Sequence, residues 1–186
     1  NHMEELIDKT KEKLGDKKLV ASVNRAENFE ENLNGVMYEN FPALWFGDNA
    51  WPMLIDQYVN KLSERHIAPQ LSVINSNTGN TGDSASYQDM RFGLTSTLLG
   101  DGYFCFDSGD QNHGQNWWYD EYDVNLGKSV SSAYNLLEKN NDEIKKGLWR
   151  RDFENGTVVV NSTNKTQVYI FEKEQFEKIK GAQDSV

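Results

Sequence analysis

The chain has 186 residues, of which 37% are hydrophobic and 12% aromatic, and its formal net charge is −10 at pH 7. The length and the aromatic content indicate a folded domain, because a disordered chain of this polarity would hold far fewer aromatic residues. The negative charge argues against nucleic acids and anionic membranes, since both are bound through clustered lysine and arginine. We therefore expect neither of them as a partner.

The sequence offers little for metal, disulfide or cofactor chemistry. Cys105 is the single cysteine and cannot form an internal disulfide, and three histidines beside it are too few to favour a structural zinc site. No P-loop, serine nucleophile elbow or zinc-protease motif is present. We expect no metal and no cofactor. No apolar run reaches the length of about 18 residues that spans a membrane.

In chain order, the hydrophobic pattern predicts helices that alternate with strands. The predicted helices span residues 4–14, 50–65 and 86–99, and the predicted strands span residues 18–23, 35–38, 70–74 and 102–106. Such alternation favours a parallel sheet joined by crossovers, and continuously apolar strands are typical of burial on both faces. The predicted fold class is α/β, as a partial (half) TIM-like (β/α) barrel with parallel strands.

After residue 107 the pattern changes to a small C-terminal β-rich extension. The predicted elements are a polar loop at 108–128, a helix at 131–146, strands at 148–153, 157–160 and 167–171, and a short helix in the charged tail. Asn155 and Gly156 between the first two of these strands are a strong signal of a β-hairpin. We divide the chain into a cloning remnant at 1–3, half a barrel at 4–146, the extension at 147–172 and the tail at 173–186. The cellular location is left open, with a secreted or cell-surface protein as one alternative.

Each of the four predicted parallel strands ends at a polar residue, namely Asn24, Glu39, Asn75 and Asp107. In parallel α/β barrels the strand ends point into the mouth of the active site. Carboxylates can act as acid, base or nucleophile on a glycosidic bond, and amides can both donate to and accept from sugar hydroxyls. We predict that Glu39 and Asp107 are catalytic and that Asn24 and Asn75 bind substrate. The alternative is that these side chains cap the loops that follow.

Aromatic side chains follow two of these strand ends. Trp45 comes soon after Glu39, while Trp117 and Trp118 lie in the loop after Asp107. Flat rings offer a large contact area to the apolar faces of pyranose sugars, so we predict that these residues bind substrate. The alternative is that the rings anchor their loops. The remaining predicted substrate contacts are Tyr38, His113, Asp120 and Glu121, although a lone loop histidine is often only solvated.

Taken in order, these motifs resemble the C-terminal half of the TIM-barrel glycoside hydrolases in the hypothetical glycosyl hydrolase families, which are found largely in bacteria. The residues that carry the resemblance are Asn24 and the segments 35–41, 102–107, 117–122 and 150–161. The resemblance extends from about residue 4 to residue 172. It implies a carbohydrate partner and a role as part of a glycoside hydrolase that acts on an oligosaccharide or polysaccharide.

The resemblance also implies eight strands, of which four are predicted here, and a catalytic carboxylate on a strand before residue 4. The partner of Glu39 would then lie outside this sequence. Half a barrel leaves two open sheet edges, so we expect either a homodimer or completion by the missing N-terminal half of the barrel. The alternative function is a non-catalytic carbohydrate-binding or structural fragment that lacks a complete active site.

Overall fold

Four short strands form a parallel sheet whose order follows the chain. The strands are β1 (Val20–Ser22), β2 (Gly35–Tyr38), β3 (Val73–Asn77) and β4 (Tyr103–Asp107). The helices are α1 (His2–Leu14), α2 (Ala50–Asp56), which a π-helical turn (Gln57–Lys61) continues, and α3 (Tyr87–Thr97). The computed structural model describes residues 2–22, 30–61, 67–83, 86–114, 117–138, 141, 143–179 and 181.

The strand register assigns the side chains of the parallel sheet to two faces. Asn75 pairs with Cys105, and two residues further on Asn77 pairs with Asp107. Paired residues of parallel neighbours point to the same side, and the side alternates along each strand. We call this side the asparagine face; its members are Met37, Val73, Asn75, Asn77, Tyr103, Cys105 and Asp107.

The opposite side of the sheet, which we call the helix face, carries the main hydrophobic core. Val36, Tyr38 and Ile74 are each only 1% exposed there, and they belong to one cluster with Leu54 and Ile55 of α2. Burial of this kind contributes about 1.5–3 kcal/mol for each large side chain. The core therefore fixes the sheet from one side and leaves the asparagine face for other contacts.

Helix α3 approaches the sheet closely at a glycine. A Cβ atom at Gly93 would overlap Ser76 Oγ and the ring of Phe104, so a larger residue does not fit there. The indole nitrogen of Trp51 donates to Ser96 Oγ over 2.9 Å and joins α2 to α3. These contacts hold α3 against β3 and β4, the two strands that carry Asn75 and Asp107.

A separate antiparallel sheet follows, with β5 (Tyr134–Asn135), β6 (Leu148–Phe153) and β7 (Gly156–Asn161). The hairpin between β6 and β7 turns at Glu154 and Asn155. This is the turn that the Asn-Gly sequence predicts. The mixed α/β fold with a parallel sheet and a β-rich end is thus confirmed, whereas the half barrel and the domain limits stay predictions.

Arg151 of β6 joins the antiparallel sheet to the parallel one. Its side chain is 7% exposed, and its Nη1 donates to the carbonyl oxygens of Leu98 and Gly100, just after α3. Its Nη2 donates to Asp101 Oδ1 over 2.7 Å, and its Nε donates to the carbonyl of Ser131 over 3.2 Å. One buried guanidinium therefore satisfies backbone carbonyls on both sides of the junction.

The predicted helix at 131–146 is wrong. The described residues of that segment contain no helix, and Tyr134 and Asn135 instead pair as β5 with Arg150 and Trp149. The indole of Trp149 also donates to the carbonyl of Lys145 over 2.9 Å. The helical pattern is overridden because sheet pairing and the buried Trp149 hold the segment in an irregular path.

Two further expectations at the C-terminus are wrong. Residues 167–171 form no strand, and the described part of the tail, 173–179 and 181, is not helical. The aromatic residues of this segment lie against Arg150 instead, with Phe171 and Phe176 at 5.2 and 5.5 Å from its guanidinium carbon. Glu174 forms two hydrogen bonds with the same guanidinium, so side-chain contacts and not a backbone ladder hold the segment.

Strand β3 lies three residues later than predicted, at Val73–Asn77 and not at 70–74. Pairing with β4 continues through the polar residues to Asn77 and Asp107, beyond the apolar run. Asn75 is therefore a buried strand residue and not the residue that follows the strand, as predicted.

Replacing Arg151 with methionine should lower the free energy of unfolding by about 1–3 kcal/mol, because it leaves buried carbonyl groups without a donor. Chemical denaturation followed by circular dichroism measures the change. Lys128→Met, at an exposed lysine near the same sheet, is the matched control and should change stability little. Equal effects of the two substitutions would contradict the proposed junction.

Candidate functional site

The ends of β2, β3 and β4 meet at one edge of the parallel sheet, which we call the carboxyl edge. Glu39 follows β2 directly and is partly buried, whereas Asn75 and Asp107 are 0% and 2% exposed. Polar groups are costly to bury without partners, so each of them is expected to be hydrogen-bonded. The parallel register therefore brings a carboxylate, an amide and a second carboxylate to one region of the chain.

Asp107 is the most buried charge at the carboxyl edge, with its side chain 3% exposed. Its Oδ2 accepts a hydrogen bond from Asn75 Nδ2 over 3.1 Å and contacts His113 Nδ1 at 2.8 Å. Its Oδ1 is buried and accepts no hydrogen bond from the described residues. The carboxylate is thus held by a neutral amide on one side and by an imidazole on the other.

His113 extends from this carboxylate towards solvent, with its side chain 56% exposed. The hydrogen bond with Asp107 raises the pKa of His113 above its usual value, and the charge of Asp107 acts in the same direction. Smaller contributions come from the carboxylates of Glu39 and Asp110. Because Nδ1 faces Asp107, the other ring nitrogen, Nε2, is the one presented to any ligand.

Two loops are connected to hold the histidine in place. Thr78 Oγ1 donates to the carbonyl of Ser108 over 2.7 Å, which links the loop after β3 to the loop after β4. Asn80 Nδ2 donates to Asp110 Oδ1 over 2.6 Å, and Asn80 Oδ1 accepts from the amide of Gln111 over 3.0 Å. The segment that leads to His113 is therefore tied to β3 as well as to its own strand.

The turn after Glu39 is fixed by contacts to the same strand. Asn40 has a φ of 52°, and Asn77 Nδ2 donates to its side-chain oxygen. One residue further on, the amide of Phe41 donates to the carbonyl of Asn75 over 2.8 Å. Asparagine tolerates the left-handed backbone region better than most residues, which suits it to this position. Glu39 is therefore followed by a defined turn across the end of β3.

Cys105 lies on the asparagine face beside Asn75. Burial raises the pKa of its thiol, whereas a hydrogen bond with the Asn75 side chain lowers it. The net direction is upward, so the thiol stays protonated near neutral pH. A protonated thiol is a poor nucleophile, so Cys105 is not assigned a catalytic role.

The predicted aromatic contacts occupy different environments. Trp45 is 61% exposed on the 3-10 turn Leu44–Phe46, and Trp118 is 65% exposed. The indole of Trp118 donates to Asp123 Oδ2 over 2.9 Å. Trp117 packs on Phe106, with ring centroids 6.2 Å apart, and so anchors its loop. Trp117 is therefore a packed ring, whereas Trp45 and Trp118 are exposed, and sugar binding by these residues stays a prediction.

Tyr38 and Glu121, two other predicted contacts, have partners away from Asp107. Tyr38 is buried on the helix face, against the ring of Tyr58. Glu121 accepts two hydrogen bonds from Arg91 of α3, at 2.9 and 2.7 Å. Asp120 begins the 3-10 turn Asp120–Asp123. Asn24 lies outside the described residues.

Three residues of this region are not predicted from the sequence, namely Asn77, Asn80 and Asp110. A signal was present, since a cluster of asparagine, threonine and glycine follows β3 and another of aspartate and glycine follows β4. Such clusters favour loops whose side chains bond to backbone groups. The hydrogen bonds between the loop after β3 and the loop after β4 cannot be predicted from local sequence, because the bonded residues lie about 30 positions apart.

Within the described ranges, no group of three or more histidine, cysteine, aspartate or glutamate side chains is arranged to hold a metal ion. No helix in the part of the chain that the structure describes is both long enough and apolar enough to cross a membrane.

Comparison with known proteins gives one family. The family described as hypothetical glycosyl hydrolase family 15 matches residues 1–157. No curated protein matches the chain. The matched range includes the whole parallel sheet, both loops of the carboxyl edge and the start of β7.

Replacing Asp107 with asparagine should lower the pKa of His113 towards the usual histidine value, because the imidazolium loses its negatively charged partner. Titration of the histidine ring signals by NMR measures the shift. Asp123→Asn, which removes a carboxylate bound to Trp118, is the control and should leave this pKa unchanged. An unaltered His113 titration in Asp107→Asn would show that the two groups are not paired in solution.

Proposed function

The chain belongs to hypothetical glycosyl hydrolase family 15, and from this premise we propose that it takes part in hydrolysis of glycosidic bonds in an oligosaccharide or polysaccharide. The family description supports a glycosyl hydrolase-like function and a carbohydrate partner. The observation that carries the proposal is the grouping of Glu39, Asn75, Asp107 and His113 at the carboxyl edge. Parallel α/β enzymes place their catalytic groups at this edge.

Glu39 is the proposed catalytic carboxylate. It follows β2 directly, the turn after it is fixed to β3, and its charge acts on His113. A carboxylate at such a place can act on the anomeric carbon of a sugar, directly or through a water molecule. The exposed rings of Trp45 and Trp118 are the proposed stacking surfaces for sugar rings, and Asn24 stays a predicted substrate contact.

We also propose that residues 4–146 form half of a (β/α)-type barrel. The four parallel strands keep their chain order, and α2 and α3 cover one face, as in such barrels. On the asparagine face, Tyr103 is 59% exposed and Met37 and Val73 are only partly buried. In a complete barrel this face would be covered, either by a second copy of the chain or by the N-terminal half of the barrel.

Replacing Glu39 with glutamine should reduce hydrolysis at least about 100-fold, because it removes the ionisable group while keeping the shape of the side chain. The measurement is product release from a panel of aryl glycosides and oligosaccharides. Glu12→Gln, on exposed α1, is the matched control and should keep the original rate. Equal rates for the two variants would overturn the assignment of Glu39.

The second candidate function is carbohydrate binding without hydrolysis, and the exposed Trp45 and Trp118 favour it. Both rings could stack on a sugar whether or not a carboxylate of the site cleaves the glycosidic bond. A glycan that binds the chain in a glycan array but is not cleaved would favour this second function over the first.

A further inference from the structure

The proposed hydrolase site lacks an identified proton donor, and the pair formed by His113 and Asp107 can fill that role. We propose that His113 is the general acid and base of the site and that Asp107 is a positioning residue that acts through it. This inference rests on the proposed function. It replaces the earlier prediction of Asp107 as a directly catalytic carboxylate and of His113 as a substrate contact.

Burial separates the roles of the two residues. The Asp107 side chain is 3% exposed, so its carboxylate has little surface on which a sugar could lie. The His113 side chain is 56% exposed and is the part of the pair that a ligand can touch. A group that transfers a proton must come within hydrogen-bond distance of the reacting oxygen. Of the two residues, the exposed His113 is the one that a bound sugar can approach.

The hydrogen bonds fix which nitrogen of His113 is available. His113 Nδ1 lies 2.8 Å from Asp107 Oδ2, and because a carboxylate can only accept, Nδ1 must be the donor of this bond. Asn75 Nδ2 donates to the same oxygen over 3.1 Å. The ring is therefore oriented with Nε2 away from β4, and a second group behind a histidine is the usual means of fixing its tautomer.

The charges around His113 favour the protonated ring. Within the described residues, the charged groups that act on it are Asp107 at the end of β4, Glu39 after β2 and Asp110 in its own loop. All three are carboxylates, and β3 contributes the neutral amide of Asn75. The raised pKa of His113 keeps it as an imidazolium at a higher pH than an isolated histidine, which a proton donor requires.

The proposed step is balanced in protons and electrons. The bond between the anomeric carbon and the leaving oxygen breaks, the oxygen keeps the electron pair, and it takes the proton from His113 Nε2. The water consumed gives its hydroxyl oxygen to the anomeric carbon, and its proton restores the imidazolium. Glu39 supplies negative charge at the anomeric carbon in this scheme.

The test compares His113→Gln with the unchanged chain on two aryl glycosides of the same sugar, one with a phenyl and one with a 2,4-dinitrophenyl leaving group. Phenol departs poorly without a proton, so its release should fall about 100-fold or more. Dinitrophenol departs as an anion, so its release should fall much less. His2→Gln, on exposed α1, is the matched control, and thermal unfolding checks that both variants are folded.

The pH profile tests the positioning role of Asp107. In the unchanged chain, phenyl glycoside hydrolysis should decline as the pH rises through the pKa of His113, because the imidazolium loses its proton. Asp107→Asn should move this decline to lower pH, because the carboxylate that raises the pKa of His113 is then absent. A residue with a merely structural role would lower the rate without moving the decline.

The outcomes separate this inference from the function on which it rests. Hydrolysis that depends on Glu39 but is unchanged in His113→Gln would overturn the role of the histidine and leave the proposed function standing. Equal losses on both leaving groups would also overturn proton donation. The absence of hydrolysis by the unchanged chain on every glycoside of the panel would overturn the proposed function itself.

Discussion

One buried guanidinium, that of Arg151, connects the antiparallel sheet to the parallel sheet that carries the site. It binds carbonyl groups directly after α3 and one carbonyl before β5, so it sets the position of the turn that leads into β4. β4 in turn ends at Asp107. A charge that is 7% exposed stays favourable only when nearly all its donors are engaged, and the turn between α3 and β4 and the segment before β5 supply the acceptors. The C-terminal β-rich segment is therefore part of the support of the site.

Asp107 imposes the matching constraint at the other end of β4. A buried carboxylate needs donors, and the described residues provide an amide from β3 and an imidazole from the following loop. The loop after β4 must therefore fold back over the end of β4, so that His113 contacts Asp107. The bonds of Asn80 to Asp110 and Gln111 stabilise that return path. The positions of the loop and of His113 therefore follow from the need of one buried carboxylate, Asp107, for hydrogen-bond donors.

The elements that the sequence predicts well are those with strong local signals. β2 and β6 lie at the predicted positions, and the Asn-Gly turn joins β6 to β7. The helix predicted at 131–146 fails because its residues pair with β6, an interaction that no local pattern encodes. Hydrophobicity also predicts Glu39 and Asp107 as strand-end residues. The hydrogen bond between Asn75 and Asp107, however, depends on how β3 lies beside β4, and hydrophobicity alone places β3 three residues too early.

The site depends on the register of β3 beside β4, so a shift of that register would destroy it. Asn75 and Asn77 reach the asparagine face because side chains alternate along β3. A slip of β3 by a single residue would turn Ile74 and Ser76 to that face and direct both amides into the apolar core, with no change in composition. An insertion or deletion of one residue within β3, before Asn75, would therefore abolish the site as completely as replacing its residues, while the number of strands and their order stayed the same.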